Sequence, residues 1–194
     1  MIYDYHVVSS VIAILVALVS YGLYIRSILR GETKPHIFTW LILGSIDAVV
    51  FAAQLVGGAG VGAYPLGVSI LIASTVAVLS IKNGEKHITK MDVFFFTAAL
   101  VSIGAWVVTK DPLSAVLILT VVNILGTAPT FRKSYVNPHE ESLTAWAGDI
   151  VRFLLALIGL EVFSLTTALF PICIILTNAV LVGMILARRR KLKV

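Results

Sequence analysis

The chain has 194 residues and a formal net charge of +5; 59% of its residues are hydrophobic and only 13% are charged. Soluble domains carry roughly 25% charged residues, so this composition excludes an ordinary soluble domain and indicates a chain embedded in lipid. The basic residues lie in short clusters between apolar runs, which makes membrane topology, and not nucleic-acid binding, the reason for the positive charge.

Seven apolar stretches follow one another along the chain. Each is long enough to cross a bilayer as a helix, which needs roughly 20 predominantly apolar residues. They lie at about residues 7–25, 37–56, 62–81, 91–109, 113–131, 143–163 and 168–187. The connections are short, with glycines between the second and third stretches and Asp111-Pro112 before the fifth. The sequence therefore predicts an all-α membrane protein with seven transmembrane helices.

The basic residues are distributed unevenly between the connections. Thirteen of the 15 Lys and Arg residues lie after the first, third and fifth stretches and in the C-terminal tail, while the other side has only Lys110. Basic connections are retained in the cytoplasm. We therefore expect a multi-pass inner (plasma) membrane protein with its N-terminus outside and its C-terminus cytoplasmic. A cleaved signal peptide is the alternative for the first stretch, but Asp4 stands where a cationic start is usual.

The first three predicted helices repeat as the last three. A shift of 106 residues, without a gap, superposes Arg26 on Arg132, Trp40 on Trp146 and Pro65 on Pro171. Helix 4 restores the chain direction, so the two copies are parallel, as in transporters with an axis along the membrane normal. The predicted units are the repeats 1–88 and 111–194 and the linker helix 89–110, in one membrane domain. Both prolines are expected to open their helices, where a missing amide is tolerated.

Residues 128–146 read APTFRKSYVNPHEESLTAW, and this stretch resembles the PQ-loop motif of SWEET, SemiSWEET and related carriers. That motif has Pro-Gln at a helix end, a basic loop and a serine-containing start of the next helix. Pro129 stands at its proline position and Trp146 in the following helix. Asn178 resembles the asparagine of helix 7 that contacts sugar in SWEETs, whereas its counterpart in the first repeat is Ile72. The resemblance implies a 3+1+3 transporter fold with a solute site between the halves.

Three charged residues lie inside the apolar stretches and away from their ends: Asp47 in helix 2, and Asp149 and Arg152 in helix 6. Each costs about 2.5 to 3.5 kcal/mol at the centre of a membrane helix, so we expect them to face a polar interior. The repeat register places Asp47 and Arg152 at similar depth. One interpretation is a site in which Asp47 binds a proton or cationic group and Arg152 an anionic group. The alternative is a buried ion pair of Arg152 with either Asp149 or Asp47.

Several neutral residues are further candidates. Asn123 and Asn178 offer donors and acceptors for a polar ligand, or they form interhelical hydrogen bonds. Trp40 and Trp146 anchor their helices at the membrane interface, or they form an inner gate near the repeat axis with Pro129.

The leading functional hypothesis is a secondary transporter of a small polar solute, sugar-like or a small organic or amino acid, working by alternating access and coupled to protons. The alternative, from a different functional class, is a seven-helix membrane sensor or assembly protein without transport activity. No pattern indicates an enzyme, a metal site or a cofactor, and Cys173 is the single cysteine. The expected partners are the solute, protons and the lipid bilayer, without nucleic acid. One chain supplies both halves of a carrier, and a homo-oligomer is left open.

Overall fold

The computed structural model describes residues 4–84, 89–109 and 111–192, and every regular element within these ranges is helical. The all-α prediction is thereby confirmed. The α-helices are α1 (Tyr5–Leu29), α2 (Ile37–Val56), α3 (Tyr64–Asn83), α4 (Lys90–Thr109), α5 (Pro112–Gly126), α6 (Ala128–Val136), α7 (Leu143–Ile158) and α8 (Leu165–Lys191).

Five helical segments are long and apolar enough to cross a membrane, as in a multi-pass membrane protein. They are Tyr5–Leu29, Ile37–Val56, Gly60–Asn83, Pro112–Val136 and Leu165–Lys191. The two other predicted spans form α4, of 20 residues, and α7, of only 16. Helix α7 is shorter than the stretch 143–163 because it ends at Ile158, where Gly159 caps it.

The fifth predicted helix is divided in two. Thr127 separates α5 from α6, and its amide donates to the carbonyl of Asn123. Pro129 lies in the first turn of α6 and has no amide with which to continue the hydrogen-bond ladder of α5, which explains the interruption. The side chain of Pro129 is not among those that the structure describes, so its predicted role as a gate or interface residue stays a prediction.

Asp111 begins α5 as its N-cap. Its carboxylate accepts hydrogen bonds from the Ser114 hydroxyl and, at 2.9 Å, from the Ser114 amide. These hydrogen bonds lower the pKa of the Asp111 carboxyl, because they stabilise its charged form. The side chain is exposed at the end of the helix. Asp111 is therefore a carboxylate outside the packed interior of the bundle.

The two repeated prolines differ in position. Pro65 lies in the first turn of α3 as expected, but Pro171 lies inside α8, so that expectation was wrong for the second repeat. The reason is an earlier helix start: Ser164 and Thr167 form a reciprocal capping box. Pro171 leaves the Thr167 carbonyl without an intrahelical amide, and Gln54 of α2 donates to that oxygen at 2.7 Å. A neighbouring helix thus satisfies the freed backbone group, as membrane bundles require.

Six helices contact one another in a ring, in the order α1, α3, α2, α5, α8 and α7. We call α1, α2 and α3 the first triplet and α5, α7 and α8 the second. Helix α3 contacts both α1 and α2, and α8 contacts both α5 and α7. Between the triplets, α1 contacts α7 and α2 contacts α5, while α4 packs on α2 and α5. The largest apolar cluster forms where α2, α5 and α8 meet, around Ile46, Leu119 and Phe170. The triplets therefore share a long interface through the middle of the bundle.

At one end of this interface the connection after α2 meets the connection after α7. The Glu161 amide donates to the Ala59 carbonyl at 3.2 Å. Gly62 approaches the backbone of Gly159 so closely that an added Cβ would lie 2.5 Å from the Gly159 oxygen. Only glycine fits there without a backbone shift, so this end of the interface is closed by main chain against main chain.

Candidate functional site

A cavity lined by both polar and apolar side chains lies between the two triplets, with side chains of α1, α2, α3, α5, α7 and α8 around it. Its volume is about 40 Å³. One ordered water needs roughly 10–15 Å³, so the cavity has room for a few waters or one small solute. Seven of the eight residues that the sequence singled out line it: Trp40, Asp47, Asn123, Trp146, Asp149, Arg152 and Asn178.

Asp149 is saturated with hydrogen-bond donors. Its Oδ1 accepts from the Tyr21 hydroxyl at 2.8 Å and lies 2.6 Å from a terminal nitrogen of Arg152. Its Oδ2 accepts from the Asn178 amide at 3.0 Å. The two charged residues are three positions apart on α7, so the helix itself brings them to one face. Of the ion pairs considered from the sequence, the structure contains Asp149 with Arg152.

Arg152 is bonded through both of its terminal nitrogens. Its other terminal nitrogen donates to the Ser69 hydroxyl and, at 3.4 Å, to the Pro65 carbonyl, both on α3. The guanidinium also lies 4.2 Å from the centre of the Phe153 ring, within cation–π range. Its Nε is buried without a hydrogen-bond partner.

Asp47 presents the opposite case. It lies near the middle of α2, is only 7% exposed, and lines the cavity. Within the part of the chain that the structure describes, its carboxylate takes part in no hydrogen bond and in no ion pair within 4 Å. The charges that act on it are those of Arg152, which attracts it, and Asp149, which repels it. Because Arg152 and Asp149 already pair with each other, Asp47 is the carboxylate of the cavity that has no bonded partner among the described residues.

The two asparagines differ in the same way. Asn178 donates its amide to Asp149, so its nitrogen has a structural partner. Asn123 lines the cavity from α5, and among the described residues its side chain makes no hydrogen bond. An interhelical bond, which the sequence left open for Asn123, is therefore not formed there. Its amide stays available to a ligand or to water.

Trp40 and Trp146 lie in the first turns of α2 and α7, and both are buried. The Trp146 indole donates to the Glu141 carboxylate at 3.2 Å, and Lys133 pairs with the same carboxylate at 3.5 Å. Lys133 also donates to the carbonyl of Lys34, in the connection between α1 and α2, at 3.3 Å. The end of the cavity that carries the two tryptophans is thus tied together by polar contacts across both triplets.

Sequence reasoning missed two residues of the site. Tyr21 donates to Asp149, and Ser69 accepts from Arg152. Tyrosine and serine are common in membrane helices, so neither residue type signals a site. The spacing of Ala17, Tyr21, Tyr24 and Ile28 does mark one buried face of α1. That periodicity could have placed Tyr21 toward the bundle interior.

The comparisons with known proteins give no family: no family model matches the chain, and no curated protein or solved structure matches it.

Proposed function

We propose that the chain is a secondary carrier of a small polar solute and that the cavity between the triplets is its solute site. The observation that carries the proposal is the cavity at the interface and the buried carboxylate of Asp47 in its wall, which has no hydrogen-bond or ion-pair partner among the described residues. Uncompensated buried charges are costly, and in membrane helices they mark ion or substrate pathways.

The repeat supports a carrier with two equivalent halves. The packing order is the same in both triplets, and the contact of α1 with α7 has its equivalent in that of α2 with α5. Five pairs of positions related by the shift of 106 residues line the cavity: Tyr21 with Thr127, Trp40 with Trp146, Leu43 with Asp149, Asp47 with Phe153, and Ile72 with Asn178. We infer a pseudo-twofold axis through the cavity and a 3+1+3 arrangement of seven spans, as the resemblance to PQ-loop and SWEET carriers implies.

Alternating access then requires each end of the cavity to open in turn. With the N-terminus outside, the glycine contact of Gly62 with Gly159 closes the outer end, and the Trp146, Glu141 and Lys133 contacts close the cytoplasmic end. The interruption at Thr127 gives the second triplet a point at which α5 can move relative to α6. Rocking of one triplet against the other would open one end while the other stays shut.

Asp47 also explains how transport would be coupled to protons. An ionised Asp47 leaves the cavity with one negative charge, whereas a protonated Asp47 leaves it neutral. The neutral cavity costs less to close off from water, because burying an unpaired charge is expensive. Reorientation would therefore be favoured when Asp47 carries a proton or a cationic group.

A cysteine-accessibility experiment tests the carrier proposal without knowledge of the solute. In a Cys173→Ala background, Ala73→Cys places one thiol in the cavity wall, and Leu71→Cys places one on the exposed side of the same helix. A membrane-impermeant maleimide is applied to vesicles of each orientation. A carrier exposes residue 73 to both sides and residue 71 to neither. If residue 73 is labelled from one side only, or from neither, the protein is a packing or assembly protein and not a carrier.

A further inference from the structure

The cavity has a definite charge preference. Asp149 and Arg152 compensate each other at 2.6 Å, and the remaining charge is that of Asp47. The Arg152 guanidinium is bonded to its neighbours: one terminal nitrogen donates to the Ser69 hydroxyl and the Pro65 carbonyl, the other pairs with Asp149, and its Nε is buried. Because the charges of Asp149 and Arg152 cancel, an anion meets the net negative charge of Asp47, whereas a cation meets its counter-ion.

The cavity walls also suit an organic cation better than a bare metal ion. Tyr21, Trp40 and Trp146 place three aromatic rings around the space that Asp47 faces. Aromatic rings attract organic cations through their quadrupoles, and Trp does so best. A metal ion would need several oxygen ligands, and the described residues contain no group of three or more acidic, His or Cys side chains suited to hold one.

We propose that the solute is a small monovalent organic cation that binds at Asp47 and competes there with a proton. This inference rests on the carrier proposal and specifies its substrate class. One proton leaves the carboxylate when one cation binds, and one proton returns when the cation leaves. In each closed state the cavity is neutral, so the two halves move only with one of the two ligands bound.

The groups facing Asp47 are consistent with a single competing proton. Helix α7 contributes Asp149 and Arg152, which are paired, and α1 contributes Tyr21, whose hydroxyl is bonded to Asp149. The side chains that α3, α5 and α8 add to the cavity are not titratable. In the sequence of α4, the titratable residues of the described helix, Lys90 and Asp92, are in its first turn.

The test uses three probes of the same planar shape and different charge: guanidinium, urea and nitrate. Their binding to the purified full chain is measured in detergent by titration calorimetry. We expect guanidinium to bind and urea and nitrate to bind at least ~10-fold more weakly, as for a site whose charge is unpaired. Asp47→Asn should weaken guanidinium by roughly 100-fold. The matched control, Asp111→Asn, replaces a carboxylate outside the cavity with an equally good N-cap and should change nothing.

A second readout needs no variant. In the wild type, guanidinium affinity should fall as the pH falls, by up to about 10-fold per unit, because a proton occupies the same carboxylate. Equal binding of the three probes, no binding of guanidinium, or pH-independent affinity would overturn the cation site. A different result would contradict the carrier proposal: guanidinium that binds at Asp47 but is not carried across proteoliposome membranes. If urea or nitrate is transported without guanidinium binding, the carrier stands and the cation site falls.

Discussion

Two carboxylates line the same cavity, and their surroundings differ completely. Asp149 accepts from Tyr21, Asn178 and Arg152, whereas Asp47 has no hydrogen bond or ion pair among the described residues. A satisfied charge in a membrane protein contributes to folding, because its partners compensate its desolvation. A buried carboxylate without a partner in a membrane helix is a candidate for binding a ligand or a proton. The comparison thus separates a carboxylate with structural partners from the one that we propose binds the ligand.

The proposed repeat accounts for this difference. In the register of 106 residues Asp149 corresponds to Leu43 and Asp47 to Phe153, so the two carboxylates would be displaced by one helical turn relative to the proposed axis. Arg152 follows Asp149 on α7, but its equivalent on α2 is Ile46. The charges therefore do not follow the proposed symmetry: the ion pair lies on α7 and the single carboxylate on α2.

The largest effect is expected from Asp149→Asn. It leaves Arg152 as an unpaired buried cation, which commonly destabilises by about 3 to 5 kcal/mol. Reversible denaturation in detergent measures the loss. The control is the double change Asp149→Asn with Arg152→Gln, which removes both charges and should recover most of the stability. If the double variant is as unstable as the single one, the ion pair is not the reason.

Tyr21→Phe should have the next largest effect. It removes the hydroxyl that donates to Asp149, and hydrogen bonds to charged groups are worth about 1.5 to 3 kcal/mol. Tyr64→Phe is the matched control because Tyr64 is 51% exposed at the start of α3. Equal stabilities of the two variants would show that Asp149 does not depend on Tyr21.

A third variant tests a buried hydrogen bond between two neutral groups. Gln54→Leu removes the donor to the Thr167 carbonyl, which Pro171 has left without an amide, and should cost about 1 to 3 kcal/mol. Adding Pro171→Ala should recover much of the loss, since the helix can then supply its own amide. Additive losses in the double variant would contradict this coupling.

The smallest effect on stability is expected from Asp47→Asn. It removes a charge that has no partner, so the free energy of unfolding should stay the same or rise, in contrast with Asp149→Asn. The same denaturation experiment measures both. If Asp47→Asn destabilises the protein as much as Asp149→Asn does, then Asp47 also stabilises the fold, and the proposed difference between the two carboxylates is wrong.

The difference between Asp149, which has structural partners, and Asp47, which has none among the described residues, could be predicted only in part from the sequence. Composition and apolar runs are sufficient for an all-helical membrane chain, and charges inside those runs pointed to the cavity, because lipid allows them nowhere else. The choice of partner for Arg152 was not predictable, since both Asp149 and Asp47 are within reach of a long side chain. The place of Pro171 inside α8 was missed because a local capping box at Ser164 outweighed the position of a proline.

The central claim is that Asp47 is the group through which the cavity acts. Its most direct test is guanidinium uptake into proteoliposomes that are acidic inside, with wild type, Asp47→Asn and Asp111→Asn compared at equal incorporation. We expect the outward proton gradient to drive uptake by the wild type and by Asp111→Asn, and uptake by Asp47→Asn to fall to that of empty liposomes. Uptake by Asp47→Asn equal to wild type, with the same response to the gradient, would contradict the claim.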